Sequence, residues 1–140
     1  MELSGRQYRL GLRGAGTCYE ASGRVLIVDD EPHVRSLLLD VLPTVCDEVV
    51  AAENGADALE VVPIFRPDVI LTDMTMPGMS GTDFLGALRR TGVTAPVILI
   101  SGQPNPMPDG FFGVLGKPFD LRKLADVVRA AMDHGRTEGA

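Results

Sequence analysis

The sequence predicts an α/β fold in which a parallel sheet is covered by helices on both faces. From Arg24 onward, short apolar runs rich in β-branched residues alternate with segments whose apolar residues recur every three or four positions. The apolar runs are continuous, which is typical of strands buried on both faces. The length of 140 residues and the hydrophobic content of 45% fit one domain with one core.

Five of these runs are predicted strands, and four segments between or after them are predicted helices. The strands are residues 25–28, 49–52, 69–71, 97–100 and 112–115, of which the second has the weakest pattern. The helices contain the periodic apolar residues of segments 34–42, 58–62, 84–88 and 121–131. Pro32 suits the first turn of the first helix, whereas Pro63 is expected to end or kink the second.

The segment between the fourth strand and Lys117 is too short to hold a further full helix. It includes Pro104, Pro106 and Pro108, and a proline inside a helix removes a backbone hydrogen bond. A helix of average length, about 11–12 residues, and a strand of about 5–6 residues do not both fit there with their turns. A helix in this place is therefore expected to be missing or shortened to a single turn.

The two ends of the chain differ in pattern from the predicted domain, which covers residues 24–134. Residues 1–23 mix Arg, Gly and Ser with single apolar residues and show no period, which predicts a disordered leader. The glycines in this leader do not predict a phosphate-binding loop, because such a loop follows a strand and precedes a helix. Residues 135–140 are predicted to form a flexible tail.

Charge and composition exclude several classes of function. The net charge of -6 argues against a nucleic-acid surface, which needs clustered Lys and Arg. Cys18 and Cys46 lie far apart, so neither a disulfide framework nor a zinc site is predicted. No apolar run approaches the ~18 residues that span a membrane. We expect a soluble cytoplasmic protein whose partners are other proteins and small ions.

Polar residues follow the apolar runs at the ends where open parallel sheets bind ligands. The first run ends in Asp29 and Asp30, the third leads to Asp73, the fourth to Ser101 and the fifth to Lys117. Crowded carboxylates repel one another unless a cation joins them, and hard oxygen ligands suit Mg²⁺. A carboxylate can also attack phosphorus, and a metal, a Lys and a hydroxyl can stabilise the charge on the moving phosphoryl group.

Each of these residues alone has an ordinary structural explanation. Asp29 and Asp30 could form an acidic helix start that favours the helix dipole, and Asp73 could form a turn before Pro77. Lys117 could be a surface residue before a loop. Their coincidence at four strand ends favours a shared site over four separate explanations.

Four segments resemble the receiver domains of response regulators, in the same order along the chain. They are VLIVDDE at 25–31, VILTDMTMPGMSG at 69–81, VILISG at 97–102 and GKPF at 116–119. The resemblance implies a flavodoxin-like, doubly wound, five-stranded parallel sheet with strand order 2-1-3-4-5. It also implies that Asp29, Asp30 and Asp73 hold Mg²⁺ together with the backbone carbonyl of Thr75.

By the same resemblance, Asp73 accepts a phosphoryl group from a histidine kinase or a histidine phosphotransfer protein. Ser101 is then the switch hydroxyl, and Lys117, before a cis proline, pairs with a phosphoryl oxygen. Such a domain catalyses only its own phosphorylation and dephosphorylation, and changes conformation to bind a downstream protein. Val114 stands where the family usually has an aromatic residue, so with the shortened helix we expect a monomer or a dimer of a different kind.

Two other functions are compatible with parts of this pattern. One is a receiver-shaped interaction module that is not regulated by phosphorylation, which the altered switch region favours. The other is an aspartyl-phosphate phosphatase of the haloacid-dehalogenase type. Such enzymes need a second Asp two residues after the nucleophile, and this chain has Thr75 at that position.

Overall fold

The computed structural model describes residues 7–10, 23–103 and 106–139, with side chains described for 23–103 and 106–134. The strands are β1 (Gln7–Leu10), β2 (Arg24–Val28), β3 (Glu48–Ala52), β4 (Val69–Asp73), β5 (Val97–Ser101) and β6 (Gly113–Gly116). The helices are α1 (Pro32–Val41), a 3-10 turn (Leu42–Thr44), α2 (Gly55–Phe65), α3 (Gly81–Arg90) and α4 (Leu121–Gly139).

The strands form one sheet in the order β1-β3-β2-β4-β5-β6. All pairs from β3 to β6 are parallel, and only β1 is antiparallel to its neighbour. Numbered from Arg24, the five parallel strands have the order 2-1-3-4-5. The predicted flavodoxin-like sheet is therefore confirmed.

Alternate residues of each strand enter one of two cores, because successive side chains point to opposite faces of a sheet. Val25 and Ile27 pack with apolar residues of α1 and α4, whereas Leu26 and Val28 pack with those of α2 and α3. With both faces of β2 buried, this strand and its neighbours need the continuous apolar runs seen in the sequence.

Local side-chain contacts begin α2 and α3. The Asn54 side chain accepts a hydrogen bond of 2.8 Å from the Asp57 N–H, and Ser80 with Asp83 forms a capping box. Helix α2 continues past Pro63 to Phe65, so the proline does not end the helix. A proline in the last turn removes only one backbone bond of the helix.

The connection from β5 to β6 contains no helix in its described residues, 102–103 and 106–112. The expectation of a missing helix is thus confirmed for the part that the structure describes. Phe111 is buried in the core that α2 and α3 share. Gly110 has a φ of +95°, and an added Cβ would lie 3.0 Å from Leu85, so this glycine lets the connection approach α3.

Strand β1 lies within the segment predicted to be a disordered leader. Its backbone pairs with β3 in the register Gln7 opposite Ala51 and Leu10 opposite Glu48. The expectation was wrong for these four residues, because pairing with the β3 edge supplies hydrogen bonds that the sequence pattern does not reveal. The other residues of the expected leader, 1–6 and 11–22, lie outside the described part of the chain.

The last helix is longer than the sequence predicts. It continues through the boundary expected at His134 as far as Gly139, so residues 135–139 are helical rather than a tail without structure. Once a helix has formed, each added residue gains a backbone hydrogen bond, so the helix can extend past its last residue that packs on the core. Among the described residues, no helix is long and apolar enough to cross a membrane.

Candidate functional site

The parallel sheet brings the predicted site residues to one edge. Asp29 and Asp30 follow β2, Asp73 and Ser101 are the last residues of β4 and β5, and Lys117 directly follows β6. Asp29, Asp73 and Ser101 are all less than 9% exposed. The carboxyl ends of parallel strands meet at one edge, so residues distant in sequence become neighbours.

Three carboxyl groups form an acidic cluster at this edge. One oxygen each of Asp29, Asp30 and Asp73 lies within 4.8 Å of the other two. Asp30 is exposed, whereas Asp29 is buried. Like charges at this separation repel one another, so the cluster has a strong electrostatic preference for a cation.

Lys117 supplies a positive charge beside this cluster. Its Nζ donates a hydrogen bond of 3.1 Å to Asp73 Oδ1 and lies 4.0 Å from Asp29 Oδ2. Burial by itself lowers the pKa of Lys117, but the hydrogen bond to Asp73 and the charges of Asp73, Asp29 and Glu31 outweigh it and raise the pKa. Lys117 is therefore an ammonium ion at neutral pH.

Asp29 has one satisfied and one unsatisfied carboxyl oxygen. Oδ1 accepts a hydrogen bond of 2.9 Å from the Glu31 N–H. Oδ2 is buried without a hydrogen bond, and it is the only such side-chain atom among the described residues. Burial, followed by the charges of Asp73 and Asp30, raises the pKa of Asp29 to about 6, although the Glu31 N–H and Lys117 act in the opposite direction.

Asp73 also uses its two oxygens differently. Oδ1 accepts hydrogen bonds from Lys117 and, at 2.9 Å, from the Met74 N–H. No group in the described part of the chain donates a hydrogen bond to Oδ2. Its side chain is 11% exposed, so Asp73 can be reached from solvent. The arrangement fixes the carboxylate through one oxygen and leaves the other for a reaction partner.

Ser101 and Thr75 are the remaining residues predicted for the site. Ser101 follows Ile100, the residue paired with Asp73, and its Oγ accepts a hydrogen bond of 3.0 Å from the Gln103 N–H. Thr75 lies in the exposed turn after β4. The Lys117–Pro118 peptide is cis, as the resemblance implied.

Two residues that shape the site have no role in the sequence analysis. Arg35 donates a hydrogen bond of 2.8 Å from Nη1 to the Asp29 carbonyl. Gly81 donates its N–H to the Met74 carbonyl, and a Cβ at Gly81 would lie 2.6 Å from the Asp73 carbonyl. The sequence segment 69–81 contained Gly81, but only the structure shows why a side chain does not fit. No sequence pattern indicated the contact of Arg35.

The donor set fits a hard divalent cation. Carboxylate oxygens are the ligands that Mg²⁺ prefers, and the described part of the cluster contains no thiolate or imidazole. The Oδ2 atom of Asp29 supports this fit, because burying a carboxylate oxygen without a hydrogen bond is unfavourable and a cation would offset that cost. The residues Asp29, Asp30 and Asp73 therefore suit a magnesium site.

Known proteins are similar to this chain in sequence and in fold. Residues 25–129 match the response regulator receiver domain. The chain is 36% identical over 118 residues to Regulatory protein AtoC of Escherichia coli (strain K12), covering 80% of this chain and 26% of that protein. It is 35% identical over 114 residues to Transcriptional regulatory protein KdpE of Mycobacterium tuberculosis (strain ATCC 25618 / H37Rv), covering 77% and 50%.

A solved structure of a response regulator also has the same fold as this chain. Chemotaxis response regulator CheY4 of Vibrio cholerae superposes with a TM-score of 0.71 at 29% identity, over 77% of this chain and 97% of that chain. The chain spans only a quarter to a half of the length of the two curated relatives, so the similarity concerns their receiver part. The family match runs from β2 into α4 and includes Asp29, Asp30, Asp73, Ser101 and Lys117. The chain belongs to the response regulator receiver domain family.

Proposed function

We propose that the chain is the phospho-acceptor of a two-component system, with Asp73 as the residue that becomes phosphorylated. The observation that carries this proposal is the asymmetric environment of the Asp73 carboxylate. Lys117 and the Met74 N–H hold Oδ1, and Oδ2 has no hydrogen bond from the described residues. A carboxylate held in this way can present one oxygen to an incoming phosphorus atom.

In the proposed reaction, Asp73 Oδ2 forms a bond to phosphorus while the bond from phosphorus to a donor histidine nitrogen breaks. The product is an acyl phosphate on Asp73, and the released imidazole takes a proton from solvent. The donor is a histidine kinase or a histidine phosphotransfer protein, in keeping with the receiver family. The domain acts on its own phosphorylation and dephosphorylation and does not turn over a separate substrate.

Lys117 and the acidic residues have different parts in this reaction. The Lys117 ammonium group lies 3.1 Å from Asp73 Oδ1. When the hydrogen bond between them breaks, Lys117 can pair with an oxygen of the phosphoryl group on Asp73. Asp29, Asp30 and Asp73, with the Thr75 backbone carbonyl, would hold Mg²⁺. The metal supplies positive charge that offsets the repulsion between carboxylates and a phosphoryl dianion.

Ser101 is proposed to report the phosphorylated state. Its hydroxyl belongs to the same edge as Asp73 and also accepts a hydrogen bond from the Gln103 N–H. If the Ser101 hydroxyl turns to donate a hydrogen bond to the phosphoryl group, its bond with the Gln103 N–H changes, and with it the start of the connection between β5 and β6. Phosphorylation would then change that connection, and a downstream protein partner in the cytoplasm would bind the changed surface.

The phosphatase alternative has less support. Thr75 is exposed and stands at the position where an aspartyl-phosphate phosphatase of the haloacid-dehalogenase type needs a second acid. Incubation with phosphomonoesters should release no more than one equivalent of phosphate. Sustained turnover would favour the phosphatase.

Intact mass spectrometry after incubation with acetyl phosphate and Mg²⁺ tests the proposed function. Wild type should gain the mass of one phosphoryl group, and Asp73→Asn should gain none. Chelation of the metal with EDTA should abolish the gain, because three carboxylates would then face the dianion without a cation. An equal gain in Asp73→Asn, or in EDTA, would show that the assigned site is wrong. A lack of any gain in wild type would favour the unphosphorylated interaction module.

A further inference from the structure

Arg35 lies in α1 and contacts the turn that carries the acidic pair. Its guanidinium Nη1 donates a hydrogen bond of 2.8 Å to the backbone carbonyl of Asp29. The side chain is partly buried, so this bond is shielded from competing water. The backbone of Arg35 is itself fixed, because its N–H bonds to the Glu31 carbonyl at 3.1 Å.

The Asp29 carbonyl belongs to the peptide unit that joins the two acids. The Asp29 N–H donates to the Ala52 carbonyl at 3.1 Å, and Oδ1 accepts from the Glu31 N–H. The bond from Arg35 therefore completes a set in which the N–H, the carbonyl and one carboxyl oxygen of Asp29 all have partners. Rotation of the peptide after Asp29 would move the carboxyl group of Asp30 relative to that of Asp29.

Arg35 acts on this turn through its hydrogen bond to the Asp29 carbonyl. It does not act through an electrostatic effect of its charge on the Asp29 carboxyl group. The guanidinium contacts a main-chain oxygen and not a carboxylate. The groups that shift the pKa of Asp29 are burial, the Glu31 N–H, Asp73, Lys117 and Asp30, and Arg35 is not among them. A contact of this type orients the residue that binds a metal, and such partners commonly affect metal affinity.

We propose that Arg35 is a positioning residue, which holds the peptide between Asp29 and Asp30 so that both carboxyl groups are in place for a divalent cation. This inference rests on the proposed metal site of the receiver. It adds a residue from α1 that touches neither the metal nor the phosphoryl group.

The test compares Arg35→Met, which keeps the apolar stem and removes the donors, with Arg35→Lys, which keeps a donor and the charge. Arg129→Met is the matched control, because Arg129 is an exposed arginine in α4. Titration calorimetry with Mg²⁺ gives the dissociation constant. Hydrogen exchange of the Glu31 N–H in metal-free protein reports the turn without any metal.

We expect Arg35→Met to raise the Mg²⁺ dissociation constant about tenfold. It should also speed exchange of the Glu31 N–H, with a melting temperature close to that of Arg129→Met. Arg35→Lys should recover most of both effects, and raising the salt concentration should not remove the difference in affinity. Should Arg35→Met fail to fold, Arg35→Leu, which also lacks a donor, takes its place under the same criteria.

Unchanged Mg²⁺ affinity or unchanged Glu31 exchange in Arg35→Met would overturn the inference, as would an equal loss of affinity in Arg129→Met. The two proposals can fail separately. If wild type binds no Mg²⁺, the proposed metal site is wrong, whereas the exchange of Glu31 still decides whether Arg35 holds the turn.

Discussion

Asp29 is 1% exposed, and one of its carboxyl oxygens accepts no hydrogen bond from the residues that the structure describes. Burial is the main reason that its pKa rises from 3.8 to about 6. The folded state then retains a proton at pH values where the unfolded chain has lost it. The contribution of Asp29 to the free energy of unfolding is thus greatest below about pH 4 and declines as the pH rises to about 6.

Asp29→Asn should remove this pH dependence in the metal-free protein. Above pH 6 the variant should be more stable than wild type by up to about 3 kcal/mol, because residue 29 then carries no buried charge. Addition of Mg²⁺ should stabilise wild type and leave the variant unchanged. Melting curves between pH 4 and pH 8, with EDTA and with Mg²⁺, measure both effects. A wild type whose stability rises between pH 4 and pH 6 relative to Asp29→Asn would contradict the assigned environment.

Lys117→Ala should separate metal binding from the response to phosphorylation. The side chain is 29% exposed and contacts Asp73 rather than a core, so the domain should remain folded. Removing a cation beside the acidic cluster should strengthen Mg²⁺ binding several-fold and slow labelling by acetyl phosphate. Calorimetry and timed mass spectra give the two values.

Lys123→Ala, at an exposed position in α4, is the control for this change of charge and should alter neither quantity. Loss of cooperative melting in Lys117→Ala would indicate a structural lysine. Weaker Mg²⁺ binding would mean that Lys117 orders the cluster instead of opposing the metal.

At the scale of elements, β1 extends the sheet beyond the five strands of the predicted fold. The Asp29 N–H bonds to the Ala52 carbonyl, so Ala52 faces β2. Backbone groups alternate sides along a strand, so Val49 and Ala51 face β1 instead. Their partners in the antiparallel register are Arg9 and Gln7, whose backbone groups therefore form the hydrogen bonds to β3.

This register predicts effects of different size for proline at two adjacent positions. Arg9→Pro removes an N–H that pairs with β3 and should lower the free energy of unfolding by about 1 kcal/mol. Tyr8→Pro removes an N–H that faces away from β3 and should have a smaller effect, as on other edge strands. Exchange of the Val49 and Ala51 amides should be faster in Arg9→Pro only. Equal effects of the two substitutions would show that β1 pairs differently.

The described residues between β5 and β6, which form no helix, contribute to the core. Phe111 fills space in the core against α3, and Gly110 permits the close approach to Leu85. Val114 is partly buried against the same core. The side chains of Phe111 and Val114 thus cover part of the core formed with α2 and α3.

For the molecule as a whole, this connection changes the surface available for association. The described residues between β5 and β6 contain no helix that could pack against a second copy of the chain. We therefore expect a monomer after treatment with beryllofluoride, or a dimer through another face. Light scattering after size-exclusion chromatography gives the mass, and hydrogen exchange locates an interface. A dimer that protects residues 106–116 would refute this expectation.

The position of the acidic cluster and of Lys117 at one edge of the sheet could be predicted from the sequence, for two reasons. Each apolar run marks a strand, and parallel strands end at the same edge of a sheet, so Asp29, Asp73 and Lys117 were expected to meet. The lack of a helix in the described residues between β5 and β6 was predictable for a similar reason. Both the prolines and the small number of residues available are properties of that segment alone. These features depend on the order of residue types and need no knowledge of distances.

Only the tertiary structure decided the features that depend on distant partners. The four residues of β1 alternate polar and apolar types, but so short a period identifies no strand until the β3 edge supplies hydrogen bonds. The bond from Arg35 depends on the path of the turn after β2, and the unsatisfied oxygen of Asp29 depends on what surrounds it. Local sequence determines which residues can form an element, whereas the free energy of burying or pairing them belongs to the folded chain.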